Sequence, residues 1–281
     1  MSYTLSHKFL CALLRRSRSY TADALGDSCT FLLADACHGT AGVTLAKTLL
    51  TKCSNKLAAV TQSSACAAEF RQETWEGDRL LTSSLDLTSE GCVKEFLEKT
   101  QYTLGPDIDV LCANVGDVPS RWRSAFNTTP LIHETRASEW IRLSKDVAAV
   151  GILVSQVLPI MLRTENNRRK VICVFSHSSP LHASHAVALR CASAALDELV
   201  AATSLELSRI TSGGSACAVV RVHTPNLEPE SNDARVWTKA VMRQIDRLRA
   251  EEEFALLCDG KKLPIPGFPD RVDTFWYSST V

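Results

Sequence analysis

Apolar residues follow two alternating rhythms along this chain. Short runs that are apolar at nearly every position give way to longer stretches in which apolar residues recur every three or four positions. TFLLAD (30–35) is a run of the first kind and reads as a strand. In GTAGVTLAKTLLTKC (39–53), Val43, Leu45, Ala46, Leu49 and Leu50 share one helical stripe. KLAAVT (56–61) and RLLTSSLD (79–86) read as the second and third strands. SEGCVKEFLEKT then reads as a helix, with Ser89 placed to cap it. DIDVLCANV (107–115) is a fourth strand, and residues 136–163 form a long helix. The apolar part of that helix, VAAVGILVSQVLPIML, is interrupted by Ser, Gln and Pro159, which favours a buried helix over a membrane span. KVICVFS (170–176) is a fifth strand and 182–209 a second long helix. ACAVVRVHTP (216–225) is a sixth strand and ARVWTKAVMRQIDRLRAEEE a last helix. The tail 256–281 is Pro-rich and reads as irregular, with PIPGFP and FWY as a candidate contact surface.

Strands apolar on both faces and separated by helices call for a parallel sheet covered on both sides. The expected fold is α/β: one Rossmann-like doubly wound parallel sheet flanked by helices on both faces. A length of 281 residues, with no Pro/Gly/Ser-rich linker and no internal repeat, fits a single domain over residues 28–255.

The first 22 residues stand apart. They carry Lys8, Arg15, Arg16 and Arg18 and no acid, while Leu5, Phe9, Leu10, Leu13 and Leu14 recur at helical spacing. A basic, acid-free amphipathic segment is the profile of a mitochondrial import presequence, or else of an ordinary amphipathic first helix. It also changes the charge balance. The chain has 31 basic and 31 acidic residues; without these four, 27 basic residues face 31 acidic ones. A mildly acidic body is a poor match for phosphate backbones, so direct nucleic-acid binding is not expected.

Eleven cysteines include no C-x-x-C pair, and the closest two, Cys29 and Cys37, are eight residues apart. No metal site is expected from such spacing. Thiols scattered through apolar segments read as small core residues in a reducing compartment, matrix or cytosol.

Several landmarks in order carry a resemblance. FLLADACHGTAG has the place of a strand and glycine-rich turn. SSLDLTS puts Asp86 after the third strand. DVLCANVG retains Asn114 and Gly116. SQVLPIML ends the first long helix, KVICVFSHSS ends in Ser176, AALDELVAATSLELS fills the second, and VVRVHTP ends in Pro225. Together these resemble the short-chain dehydrogenase/reductase family over residues 28–255. The resemblance implies a nucleotide-binding fold, a serine at Ser176 that orients a carbonyl, and nucleotide contacts at Gly39, Gly42, Asp86 and Asn114.

The family's proton carrier does not follow. The resemblance implies a tyrosine as general acid/base, with a lysine one helical turn later. A free phenol titrates near pH ~10, so it needs that neighbouring cation to act at neutrality. Alignment on AALDEL places Leu189 at the tyrosine position and Ser193 at the lysine position. The four tyrosines, Tyr3, Tyr20, Tyr102 and Tyr277, are followed four residues on by His7, Ala24, Pro106 and Val281. The asparagine that holds the family's relay water falls on Val147 or Ala148. His177, His182 and His185 lie near Ser176, but no G-x-S-x-G elbow surrounds it, so a serine hydrolase is disfavoured.

The cofactor turn is altered as well. The family's Thr-Gly-x-x-x-Gly-x-Gly falls on Ala34, Asp35, Gly39 and Ala41. A charge on Asp35 at ~4 Å from a diphosphate would cost about 4 kcal/mol at an effective dielectric near 20. No acid lies between Asp35 and Glu69 to hold an adenosine ribose, and TQSS (61–64) offers no base for a 2′-phosphate. The expected protein is therefore a catalytically inactive relative with no cofactor. It would serve as a structural subunit of a mitochondrial matrix assembly, pairing through helices 136–163 and 182–209 with another subunit or a second copy. The alternatives are an NADP-dependent oxidoreductase with a nonstandard proton donor, and a ligand sensor that uses the old cleft without chemistry.

Overall fold

The computed structural model describes residues 28–34, 40–52, 54–61, 64, 67–68, 78–114, 136–163, 170–177, 187–210, 217–224, 232–250, 263–264 and 275–278. The amphipathic N-terminal segment 1–22 lies outside them. Six strands run parallel: β1 (Thr30–Ala34), β2 (Lys56–Thr61), β3 (Leu80–Ser84), β4 (Val110–Asn114), β5 (Lys170–His177) and β6 (Cys217–Thr224). Among the described residues, five helices connect or follow them: α1 (Thr40–Thr51), α2 (Glu90–Leu104), α3 (Ala137–Arg163), α4 (Val187–Ile210) and α5 (Asn232–Ala250). The parallel order is β3-β2-β1-β4-β5-β6, so the winding reverses between β1 and β4. This is the expected doubly wound sheet in one domain.

The strands read as continuous apolar runs because both of their faces are covered, and alternation divides them between two cores. Phe31, Leu33, Leu57, Ala59, Val110, Cys112, Val171, Cys173, Phe175, Val220 and Val222 face α1 and α5. Leu32, Ala58, Val60, Leu111, Ile172, Val174 and Val219 face α2, α3 and α4. On the first side Trp237 of α5 is fully buried, with its ring edge-on to Phe175 at a centroid distance of 6.0 Å. α3 is long and apolar enough to cross a membrane by composition, yet Val150, Leu153, Val154, Val157 and Met161 pack it onto the sheet.

Local signals set the helix ends. Ser89 accepts a hydrogen bond from the Cys92 amide at 3.4 Å and caps α2. Gly105 ends α2 at φ 116°, a conformation that suits glycine, and its amide donates to Gln101. Pro159 sits near the end of α3, where its ring faces outward.

The tail is not wholly irregular. β7 (Leu263–Pro264) and β8 (Phe275–Ser278) form an antiparallel pair, and β8 pairs antiparallel with β6, with Val222 opposite Trp276. The strand Phe-Trp-Tyr-Ser hydrogen-bonds along an edge that β6 would otherwise present unpaired. Only four residues long and set in Pro-rich sequence, it shows no alternation by which to be read.

Candidate active site

In a doubly wound sheet ligands bind beyond the carboxyl ends of the strands, where the winding reverses. Here that point lies between Ala34, which ends β1, and Asn114, which ends β4. A cleft opens there, lined by Ala34, Leu87, Asn114, Asp146, Ala149, Val150 and Leu153. The space enclosed by these side chains is ≈ 10 Å³, room for about one water. Its lining is apolar apart from Asn114 and Asp146, both of them buried.

Asp146 is the residue that sequence reasoning missed. On its turn of α3, Val147 packs among apolar neighbours and Ala148 faces outward, while Asp146 reaches the cleft. A carboxylate next to Val-Ala-Ala-Val was the available signal. Buried acids in apolar helix faces are rare and need a polar reason to be there.

The other site residues separate. Asp86 is exposed and folds back on its own turn: Oδ1 accepts from the Thr88 amide at 2.9 Å and from Thr88 Oγ1 at 2.6 Å. The Thr88 hydroxyl and amide hold its carboxyl below the usual range, helped by Lys145. The Ser89 amide donates to the Asp86 carbonyl at 3.1 Å, so this turn leads directly into α2. Gly42 is buried in the first turn of α1, and Gly39 lies outside the described residues. Ser176 stands next to the end of β5, in register with His223 of β6. Leu189 falls in the first turn of α4. Residues 181–186, with His182 and His185, lie outside the described residues, as do Asp35 and Gly116.

Ser193 is engaged from below. Arg221 of β6 donates from Nη1 to the Ser193 carbonyl at 2.8 Å and from Nη2 to Ser193 Oγ at 2.9 Å. The same Nη1 donates to the Asp197 carboxylate at 2.8 Å. This turn of α4 is thus occupied by contacts to the sheet and presents no cation to the cleft.

Among the described residues, no group of three or more His, Cys, Asp or Glu side chains is placed to hold a metal. A nicotinamide dinucleotide finds few of its usual partners in the described parts of the cleft. β2 ends at Thr61, fully buried, where a ribose-binding carboxylate would be needed. Ser193 is bound to Arg221 where a cation would be needed. These residues do not fit the group, and no step is derived through it.

Three solved structures share this fold at 16% sequence identity. The apo form of LigO from Sphingobium sp. strain SYK-6 aligns with a TM-score of 0.62 over 81% of this chain and 84% of its own. A short chain dehydrogenase from Mycobacterium smegmatis aligns at 0.59 over 76% and 84%. An alcohol dehydrogenase from the archaeon Thermococcus sibiricus, complexed with 5-hydroxy-NADP, aligns at 0.58 over 78% and 91%. No curated protein matches the sequence. The family model for short chain dehydrogenase matches residues 35–233, most of the chain. With its strand order, its reversal between β1 and β4 and that match, the chain belongs to the short-chain dehydrogenase family.

Proposed function

We propose that this protein is a catalytically inactive member of its family that works as a structural or interaction subunit of a mitochondrial assembly. The observation that carries the reading is the missing proton carrier: no tyrosine in the chain has a lysine four residues later. At the aligned positions stand Leu189, which cannot exchange a proton, and Ser193, which is tied to Arg221. Asn114 and Asp146 are the polar groups in the part of the cleft that the described residues line.

The proposed contact surface is formed by the long helices 136–163 and 182–209. Helix faces left to water usually carry charge. On α4, Ala194, Ala195, Ala201, Ala202 and Leu205 are exposed along one side, with the exposed Glu198 among them. On α3, Ile141 is 57% exposed and Ala148 is exposed as well. Small side chains let a second helix approach closely, and a largely apolar face on a folded domain gains when a partner covers it. Mitochondrial placement rests on the basic, acid-free segment 1–22.

The test is the size of the native particle with and without that surface. A195E/A202E alters two exposed positions and is expected to leave melting unchanged while the protein shifts to a smaller species on native gels. An unchanged particle would remove the helices as the contact.

A second reading is favoured by one observation. Asp146 is a buried carboxylate that reaches the cleft beside Asn114. A carboxylate at that place could exchange a hydrogen bond or a proton with a molecule bound in the cleft. An NADP-dependent oxidoreductase using it would lose turnover in D146N while keeping its fold; absence of turnover in the unmodified chain excludes it.

A further inference from the structure

Arg221 lies in the middle of an apolar strand, between Val220 and Val222, and its side chain is completely buried. Strand alternation turns it toward α4, away from the side on which Val220 and Val222 pack. A guanidinium removed from water needs acceptors for its donors. It finds three within one turn of α4: the Ser193 carbonyl, Ser193 Oγ and the Asp197 carboxylate, all at 2.8–2.9 Å. Asp197 is 51% exposed, so the pair is buried at the arginine end and wet at the carboxylate end.

We propose that Arg221 and a cation at position 193 exclude one another. The charge that the family resemblance implies on the helix at this position is carried here on the strand, as a clamp between β6 and α4, and position 193 can take a lysine only once Arg221 is removed. The reason is steric as well as electrostatic. A lysine that kept the χ1 of Ser193 would put Cγ where the hydroxyl lies, 2.9 Å from Nη2 and nearer than the ~3.5 Å at which carbon packs, and any other χ1 still removes the acceptor. The guanidinium would lose an acceptor it cannot replace with water, and a second positive charge would start beside the first. The inference concerns charge and packing below the cleft, so it stands whether or not a nucleotide binds above.

Thermal melting of the full chain tests it with S193K, S193M, R221M and S193K/R221M. S193M adds similar bulk without charge and separates crowding from repulsion. The expected result is that S193K lowers Tm by about 5 °C or more, that S193M lowers it less, and that S193K costs little or nothing in the R221M background. If S193K fails to fold, recovery of a cooperative melt in S193K/R221M gives the same answer. Equal losses from S193K in both backgrounds, equal losses from S193K and S193M, or a double variant as unfolded as S193K would overturn the exclusion.

Discussion

Asp109 ties together the amino-terminal ends of three strands. Its Oδ2 accepts from the Thr30 amide at 2.9 Å, and its Oδ1 accepts from Lys170 Nζ at 2.7 Å with Arg249 Nη2 at 3.7 Å. The side chains of all three charged residues are nearly inaccessible. Removing one partner of such a pair leaves an uncompensated buried charge, which costs about 3–5 kcal/mol. D109N strands two cations and is expected to lose that much in a urea titration. K170M leaves Arg249 and the Thr30 amide on the carboxylate and is expected to lose less. Beside this cluster, Arg249 Nη1 donates to Cys29 Sγ at 2.9 Å. Burial pushes the Cys29 thiol up from its ordinary 9.0 to about 12, and the Arg249 charge offsets only part of that. Below pH ~9 the thiol is neutral in folded and unfolded chains alike, so it adds no pH dependence. Between about 9 and 12 only the unfolded chain ionises it, so stability falls as pH rises. C29A is expected to flatten the part of that slope due to this residue; an identical slope in C29A would contradict the assignment.

At the scale of elements, the caps and faces of the helices set the outcome. Ser89 caps α2 through a bond of 3.4 Å, at the long end for such contacts. S89A is therefore expected to cost about 0.5–1 kcal/mol, the lower part of the capping range, read as a drop of ~1–2 °C in Tm. The elements themselves were largely legible in the sequence. The strand read at 30–35 is β1 (Thr30–Ala34), and the helix read at 136–163 is α3 (Ala137–Arg163). Continuous apolar runs and helical stripes are local signals, and burial on both sheet faces writes them clearly. Interactions between distant residues leave no such mark. Asp109 and Lys170 looked like ordinary strand ends, although they meet across 61 residues. Arg221 looked like one polar residue in a strand, and only the packing of β6 under α4 brings it to Ser193. Asp146 was overlooked because the alignment sought an asparagine, at Val147 or Ala148, and not a buried acid beside them. β8 was overlooked because its pairing partner, β6, lies far back in the chain.

For the whole molecule, the sheet and its two helical layers are those of the short-chain dehydrogenase family, while the proposed reading takes the cleft at the winding reversal to be without its chemistry. Fold and function separate at this point, because sites are grafted onto folds. The exposed side of α4 and the cleft belong to the same helical layer. The account turns on whether a dinucleotide still binds. Calorimetric titration of the full chain with NADPH, and separately with NADH, measures that directly. The account predicts no saturable heat with either nucleotide; a one-to-one isotherm with either would contradict it.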